Sequence, residues 1–259
     1  QDIPERYNNL FKISSCHFYF FIYNIYENHK KKGLIKLDER LIRIIIDSFP
    51  KILIPGLKVT LPLTVIAFAL ALMIATAVAL IQFANVAVLK QISRIYIWII
   101  RGTPLLVQLY VVFFGISGMG YLIEPFICAA VVLAVNEGAY CAETIRAALE
   151  SVSKGQIEAG YCVGMSYMQI IRRIVLPQAL RTAFPPLSNS LLSMMKDTSL
   201  VACITVAEMF MSAQRIVART YEPMAVYLEV AVIYLLFSTV LTWLQGIGEK
   251  YLNRYQREV

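Results

Sequence analysis

From Gly56 to Ala84 the chain is almost unbroken in apolar residues, with Lys58 near the start as its only charge and Pro62 within its first turns. Such a run crosses a hydrocarbon layer of about 30 Å as an α-helix with some tilt, because a helix satisfies its own backbone hydrogen bonds where no water can. Further apolar runs follow at about 95–116, 126–149, 187–210 and 224–244. Composition excludes an ordinary soluble domain: 58% of the 259 residues are hydrophobic, only 16% are charged, and mean hydropathy is +0.63. The expected fold class is all-α, a polytopic membrane protein of five spans with lipid around it.

The runs are interrupted by polar groups that cannot face lipid. Arg101-Gly102-Thr103-Pro104 breaks the second run; Arg101 must reach an interface, protein or water, and Pro104 starts the continuous part of the helix. The third run carries Asn136, Glu137, Tyr140, Glu143, Thr144 and Arg146. Three-residue spacing sets Glu143 beside Arg146, so the expectation is a structural ion pair, with Tyr140 on the same face. Glu137 lies deeper and has no obvious local partner, leaving two readings, a polar path or a helix–helix hydrogen bond. In the fourth run, opened by Pro185-Pro186, stand Asn189, Ser190, Ser193, Lys196, Asp197, Thr198 and Ser199. Lys196 and Asp197 diverge by about 100° on a helix, so each seeks another helix or water.

Between the third and fourth runs lies a polar stretch from Ser153 to Pro177. Ser153 with Gln156, and Ser166 with Gln169, each match a capping box and mark two helix starts. Gly164 is placed to close the first helix in the left-handed conformation, and Pro177 to end or kink the second. Gly160 and Gly164 leave a bare strip for the close approach of another backbone, with Ile157 and Tyr161 beside it.

Glu158-Ala159-Gly160, Gly164 and Ile174-x-Leu176-Pro177 at this spacing resemble the EAA signature of ABC-importer permeases, with Gly160 where that family has alanine. RGTPLLVQ (101–108), Tyr140-x-x-Glu143-x-x-Arg146 and KDTSL (196–200) resemble the polar-amino-acid permeases of that class, and the likeness extends over about residues 45–250. NEGAYCAETIRAA and RTAFPPLSNSL are most similar to cystine permeases, with arginine, glutamine and histidine permeases as alternatives. The resemblance implies a type I importer transmembrane core of five helices. Its loop is cytoplasmic, and Glu158, Ala159, Gly160 and Gly164 dock a separate ATP-binding-cassette subunit. It implies a second permease subunit, identical or closely related, and an extracytoplasmic amino-acid-binding protein. ATP and magnesium belong to the partner ATPase, and this chain carries no cofactor. Glu137, Lys196, Asp197 and Thr198 are the candidate substrate path, with structural gating an equal reading for the last three. The implied location is the bacterial inner membrane. The rival reading is an ion-coupled secondary transporter that uses Glu137, Lys196 and Asp197 as a relay without ATP.

Other chemistries find no support. The string nearest to a phosphate-cradling loop, Gly246-Ile247-Gly248-Glu249-Lys250, lacks the required spacing, so ATP hydrolysis is expected on another chain. His17 and His29 make no metal set, and the five cysteines show no paired spacing. The +7 charge is spread between apolar runs instead of forming a stripe, which argues against nucleic acid and for membrane topology. Lys90, Arg94, Arg146, Lys154, Arg172, Arg173, Arg181, Lys250, Arg254 and Arg257 fall on one side of a five-span arrangement, which makes that side cytoplasmic. The basic cluster from Lys30 to Arg43 runs against this orientation. Residues 1–40 are read as an extension of uncertain origin, interfacial or a leader, and Leu41 to Pro50 as an amphipathic stretch along the membrane surface. The permease domain is 41–250, its coupling loop 150–181, and the cytoplasmic tail 251–259.

Overall fold

A computed structural model describes residues 39–83 and 87–253, all of whose regular elements are helical. The Phe11–Tyr26 run and the end of the tail lie outside the described residues, as do all of residues 1–40 except Glu39 and Arg40.

Two helices in this protein pass through a proline by the same device. α1 (Glu39–Pro55) continues into α2 (Leu61–Phe83) through a π-turn at Gly56–Thr60. α7 (Tyr167–Ile170) continues into α8 (Leu176–Asp197) through a π-turn at Ile171–Val175. Each π-turn is followed at once by Leu-Pro, Leu61-Pro62 and Leu176-Pro177. Proline has no amide hydrogen and its ring crowds the carbonyl four residues back; the wider turn moves that carbonyl aside. Pro177 therefore does not end its helix; of the two outcomes expected, an end or a kink, the first is excluded. Nor do Pro185 and Pro186 open one, since both lie inside α8, so the fourth run is the later part of a helix that begins before it.

Leu41 to Pro50, the amphipathic stretch, is part of α1 and continuous with the first span. It packs on α9 (Met209–Thr220) and α10 (Pro223–Asn253), where Ile52 joins Met209, Ala213, Val226 and Ile233 in a buried cluster. The run at 95–116 is likewise two helices, α3 (Ala87–Arg101) and α4 (Leu105–Gly118), meeting at 102°. With 14 residues α4 is about 21 Å long, less than the hydrocarbon thickness of about 30 Å.

α5 (Pro125–Glu150) is the central span. In its most apolar window 67% of the residues are buried, against 28% for the helix Glu39–Phe83 and 22% for α10. Its closest companion is α2. Ala67, Ala71, Ala75 and Ala79 on α2 and Ala130, Ala134, Gly138 and Ala142 on α5 are buried at four-residue intervals, which lets the two backbones approach closely. A Cβ on Gly138 would stand 3.0 Å from Ile74 Cγ2 and 3.2 Å from the Tyr96 hydroxyl.

α8 leads through a 3₁₀ turn at Thr198–Ile204 and a 53° bend into α9, and α10 returns beside α8 and α1. Among the described residues three helices are long and apolar enough to cross a membrane, and up to five spans result if each bent pair counts as one. Arg40 Nη2 donates to Thr220 O at 3.2 Å, which puts the start of α1 beside the α9–α10 junction. At the other end of α2 Phe83 packs against the buried cluster that holds Leu149 of α5 and Ile170 of α7.

Candidate functional site

The α3–α4 elbow, α5 and α8 enclose an open cavity of about 630 Å³. Its polar lining includes Arg101 and Thr103 from the elbow, Asn136, Glu137, Tyr140 and Glu143 from α5, and Asn189, Ser190, Ser193 and Asp197 from α8. Pro104, Leu105, Pro186 and Leu200 also line it, and many of the polar residues that interrupted the apolar runs converge on this one space.

Glu137 is 8% exposed; Cys141 Sγ, a weak donor, lies 3.7 Å from its Oε1, and the Ser190 hydroxyl of α8 also hydrogen-bonds to its carboxylate. Glu143 is occupied: Arg146 Nη2 donates to it at 2.8 Å, while Arg146 Nη1 donates to Glu150 at 2.6 Å, so one guanidinium bridges two carboxylates on successive turns. Arg101 stands 5.1 Å from the centre of the Tyr140 ring, within cation–π range. The structure brings Glu137 and Asp197 into the cavity together. Lys196 is exposed and does not line it, as the divergence of adjacent helical positions requires. Thr198 is fully buried and donates to Met195 O at 2.6 Å at the start of the 3₁₀ turn.

The polar loop forms α6 (Lys154–Cys162) and α7. The Ser166–Gln169 capping box is complete, with Gln169 N donating to Ser166 Oγ at 3.4 Å and Ser166 N to Gln169 Oε1 at 2.8 Å. The first expected box is absent. Ser153 sits at the N-cap but makes no side-chain bond there, and Gln156 accepts instead from Gln178 of α8. Gly164 has φ +79°; its amide donates to Tyr161 O at 2.9 Å and that of Met165 to Gly160 O at 3.0 Å, a Schellman closure of α6. Gly160 faces inward, contrary to the open strip expected: a Cβ there would lie 2.9 Å from Ile170 Cγ1. The loop exposes Glu158, Ala159 and Gly164, together with the apolar Tyr161, Val163 and Met168 and the basic Lys154, Arg172 and Arg173.

The sequence profile of the family described as binding-protein-dependent transport system inner membrane component matches residues 71–254. The chain belongs to that family. This permease is 42% identical to the L-cystine transport system permease protein of Bacillus subtilis (strain 168), over 80% of the present chain and 89% of that protein. It is 37% identical to the nopaline transport system permease protein of Agrobacterium fabrum (strain C58 / ATCC 33970), over 83% and 93%. Its fold matches a crystal structure of an amino acid ABC transporter with histidines, with TM-score 0.75 and 32% identity over 80% of this chain and 96% of that one. The resemblance read from the motifs therefore holds: this is an inner-membrane, multi-pass permease subunit of the ABC importer class.

Two buried acids of the permease escaped the sequence reading. Glu208 is fully buried at the N-cap of α9, accepting from Phe210 N at 2.7 Å and Met211 N at 2.6 Å. Glu229 of α10 accepts a hydrogen bond from Ser48 of α1 and ties those helices together. The available signal was the same for both, a lone carboxylate inside or beside an apolar run.

Proposed function

We propose that the permease moves a polar amino acid, L-cystine, through the cavity between the elbow, α5 and α8, driven by ATPase subunits docked on the α6–α7 loop. The observation that carries this is the meeting of Glu137 and Asp197, two carboxylates, in one polar cavity inside an otherwise apolar bundle. They suit the ammonium groups of an amino acid, Arg101 suits a carboxylate, and Asn136, Asn189, Ser190 and Ser193 offer neutral hydrogen bonds. Cystine is chosen on the identity to the B. subtilis cystine permease; the nopaline relative keeps another polar amino acid as the alternative.

The loop is mechanically continuous with the cavity walls. Ala148 and Leu149 at the end of α5, Ile170 of α7, and Val175, Ala179 and Ala183 leading into and along α8 form one buried cluster under α6. Displacing Glu158 to Gly164 therefore moves the two helices that hold Glu137 and Asp197. In this reading a binding protein delivers substrate from outside. ATP-bound closure favours the state open to it, and hydrolysis restores the other state through the loop. Glu137→Gln and Asp197→Asn each remove one charge-assisted contact of about 1.5–3 kcal/mol, so the Michaelis constant for ATP-driven uptake in proteoliposomes is expected to rise roughly tenfold or more. Lys196→Met, outside the cavity, is expected to stay within about twofold. Unchanged constants for both acid variants would remove the cavity from the substrate's route.

A further inference from the structure

The RGTPLLVQ stretch contains a residue that the transport reading leaves unused, Gln108. α3 and α4 part at Pro104, whose nitrogen has no hydrogen to donate to Ile100 O, its helical acceptor four residues back. Gln108 Nε2 takes that place, donating to Ile100 O at 2.8 Å, and is shared with Thr103 Oγ1 at 2.8 Å and Thr103 O at 3.1 Å. Three acceptors around one amide nitrogen fix the orientation of the side chain. Its Oε1 then faces α5 and accepts from Asn136 Nδ2 at 3.0 Å, while Thr103 Oγ1 passes the chain on by donating to Ile99 O at 2.9 Å.

We propose that Gln108 is a positioning residue which, by replacing the donor missing at Pro104, sets the elbow at its angle and fastens it to Asn136. Both ends of this hydrogen-bond chain border the cavity, since Thr103 and Asn136 line it along with Arg101. The wall contributed by the elbow and the floor contributed by α5 are therefore joined through this side chain, beside the contact of Arg101 with the Tyr140 ring. α3 is otherwise tied to α5 by Tyr96, whose hydroxyl donates to Val135 O at 2.6 Å one turn before the break, and its outer face, with Val88, Ile92, Ile95 and Trp98, is exposed. Losing Gln108 leaves Ile100 O without its donor and loosens the residues around the break, which are then held to α5 by the packing of Ile97 and Ile100 and by Arg101 on the Tyr140 ring. The consequence for transport rests on the cavity being the substrate's route; the consequence for the elbow does not.

The test uses the permease assembled with its ATPase subunits in lipid nanodiscs, comparing the native chain with Gln108→Leu and the near-isosteric Gln108→Glu. The second variant keeps the acceptor for Asn136 and loses the donors to Ile100 O and Thr103, so it reports on the elbow even where leucine prevents assembly. Amide hydrogen exchange over residues 99–109 is expected to quicken about tenfold in both, with α2 and α5 unchanged. Uptake by the same complexes is expected to show a Michaelis constant raised several-fold, with the maximal rate per assembled complex largely retained, a split that a general folding defect does not produce. Native exchange over 99–109 in Gln108→Glu overturns the positioning role whatever uptake does. Faster exchange with an unchanged Michaelis constant sustains that role and removes the cavity from the route.

Discussion

Replacing Gly164 by arginine separates two roles that one turn can combine, shaping the loop and meeting another subunit. Gly164 has φ +79°, and an L-residue other than asparagine or aspartate there carries a left-handed penalty of about 1–2 kcal/mol. A Cβ at this position meets nothing within 4 Å, so no steric term is added inside the chain. Gly164→Ala thus shifts the Schellman closure of α6 by roughly 5–30-fold while leaving the surface almost flat. Gly164→Asn tolerates the conformation and shifts it less. Gly164→Arg carries the same backbone penalty as alanine but erects a long charged side chain on the exposed patch beside Tyr161 and Val163. If ATPase subunits seat on this patch, membrane levels stay close to native in all three variants. Copurification of the ATPase follows the order asparagine, alanine, then arginine, with arginine near zero. Detergent extraction, affinity capture and quantitation of both chains measure it. Equal, mild losses for alanine and arginine, or normal ATP-driven uptake by Gly164→Arg, would refute the docking surface and leave only a backbone role.

Gly138→Val drives methyl groups into Ile74 and the Tyr96 hydroxyl at the α2–α5 contact; overpacking of this kind costs about 1–3 kcal/mol and should lower the thermal midpoint of the purified complex, with partial recovery on adding Ile74→Ala. Glu208→Ala leaves the amides of Phe210 and Met211 uncapped, a loss of about 1–2 kcal/mol, whereas Glu208→Gln retains an acceptor and should lose less; equal midpoints for the two would show that the cap contributes nothing.

The apolar runs and the polar residues inside them were legible because lipid penalises both unpaired backbone and exposed charge, so the five-span arrangement and the acids Glu137 and Asp197 could be picked out residue by residue. The Gly164 turn and the Ser166–Gln169 box were legible because each is decided within a few residues. What was missed depends on neighbours far away in sequence. Pro177 read locally as the end or kink of a helix, yet a π-turn carries the rod onward there as it does before Pro62, since packing along both sides outweighs one absent hydrogen bond. Gly160 read as a gap for a partner, but Ile170 fills it from the next helix. The break at Pro104 was marked in the sequence, while its 102° angle depends on Gln108 and Asn136, 28 residues apart. Ser153 lost its box because Gln156 found Gln178 on α8.

The most direct measurement is uptake of labelled L-cystine into proteoliposomes holding the permease, its ATPase subunits and the binding protein, with ATP enclosed on the ATPase side and no ion gradient. The expected result is ATP-dependent accumulation, blocked by unlabelled cystine, spared by excess arginine, glutamine or histidine, and lost in Gly164→Arg. Accumulation that needs an ion gradient and proceeds without ATP would contradict the account at its centre; ATP-dependent accumulation of a different amino acid would correct the substrate alone.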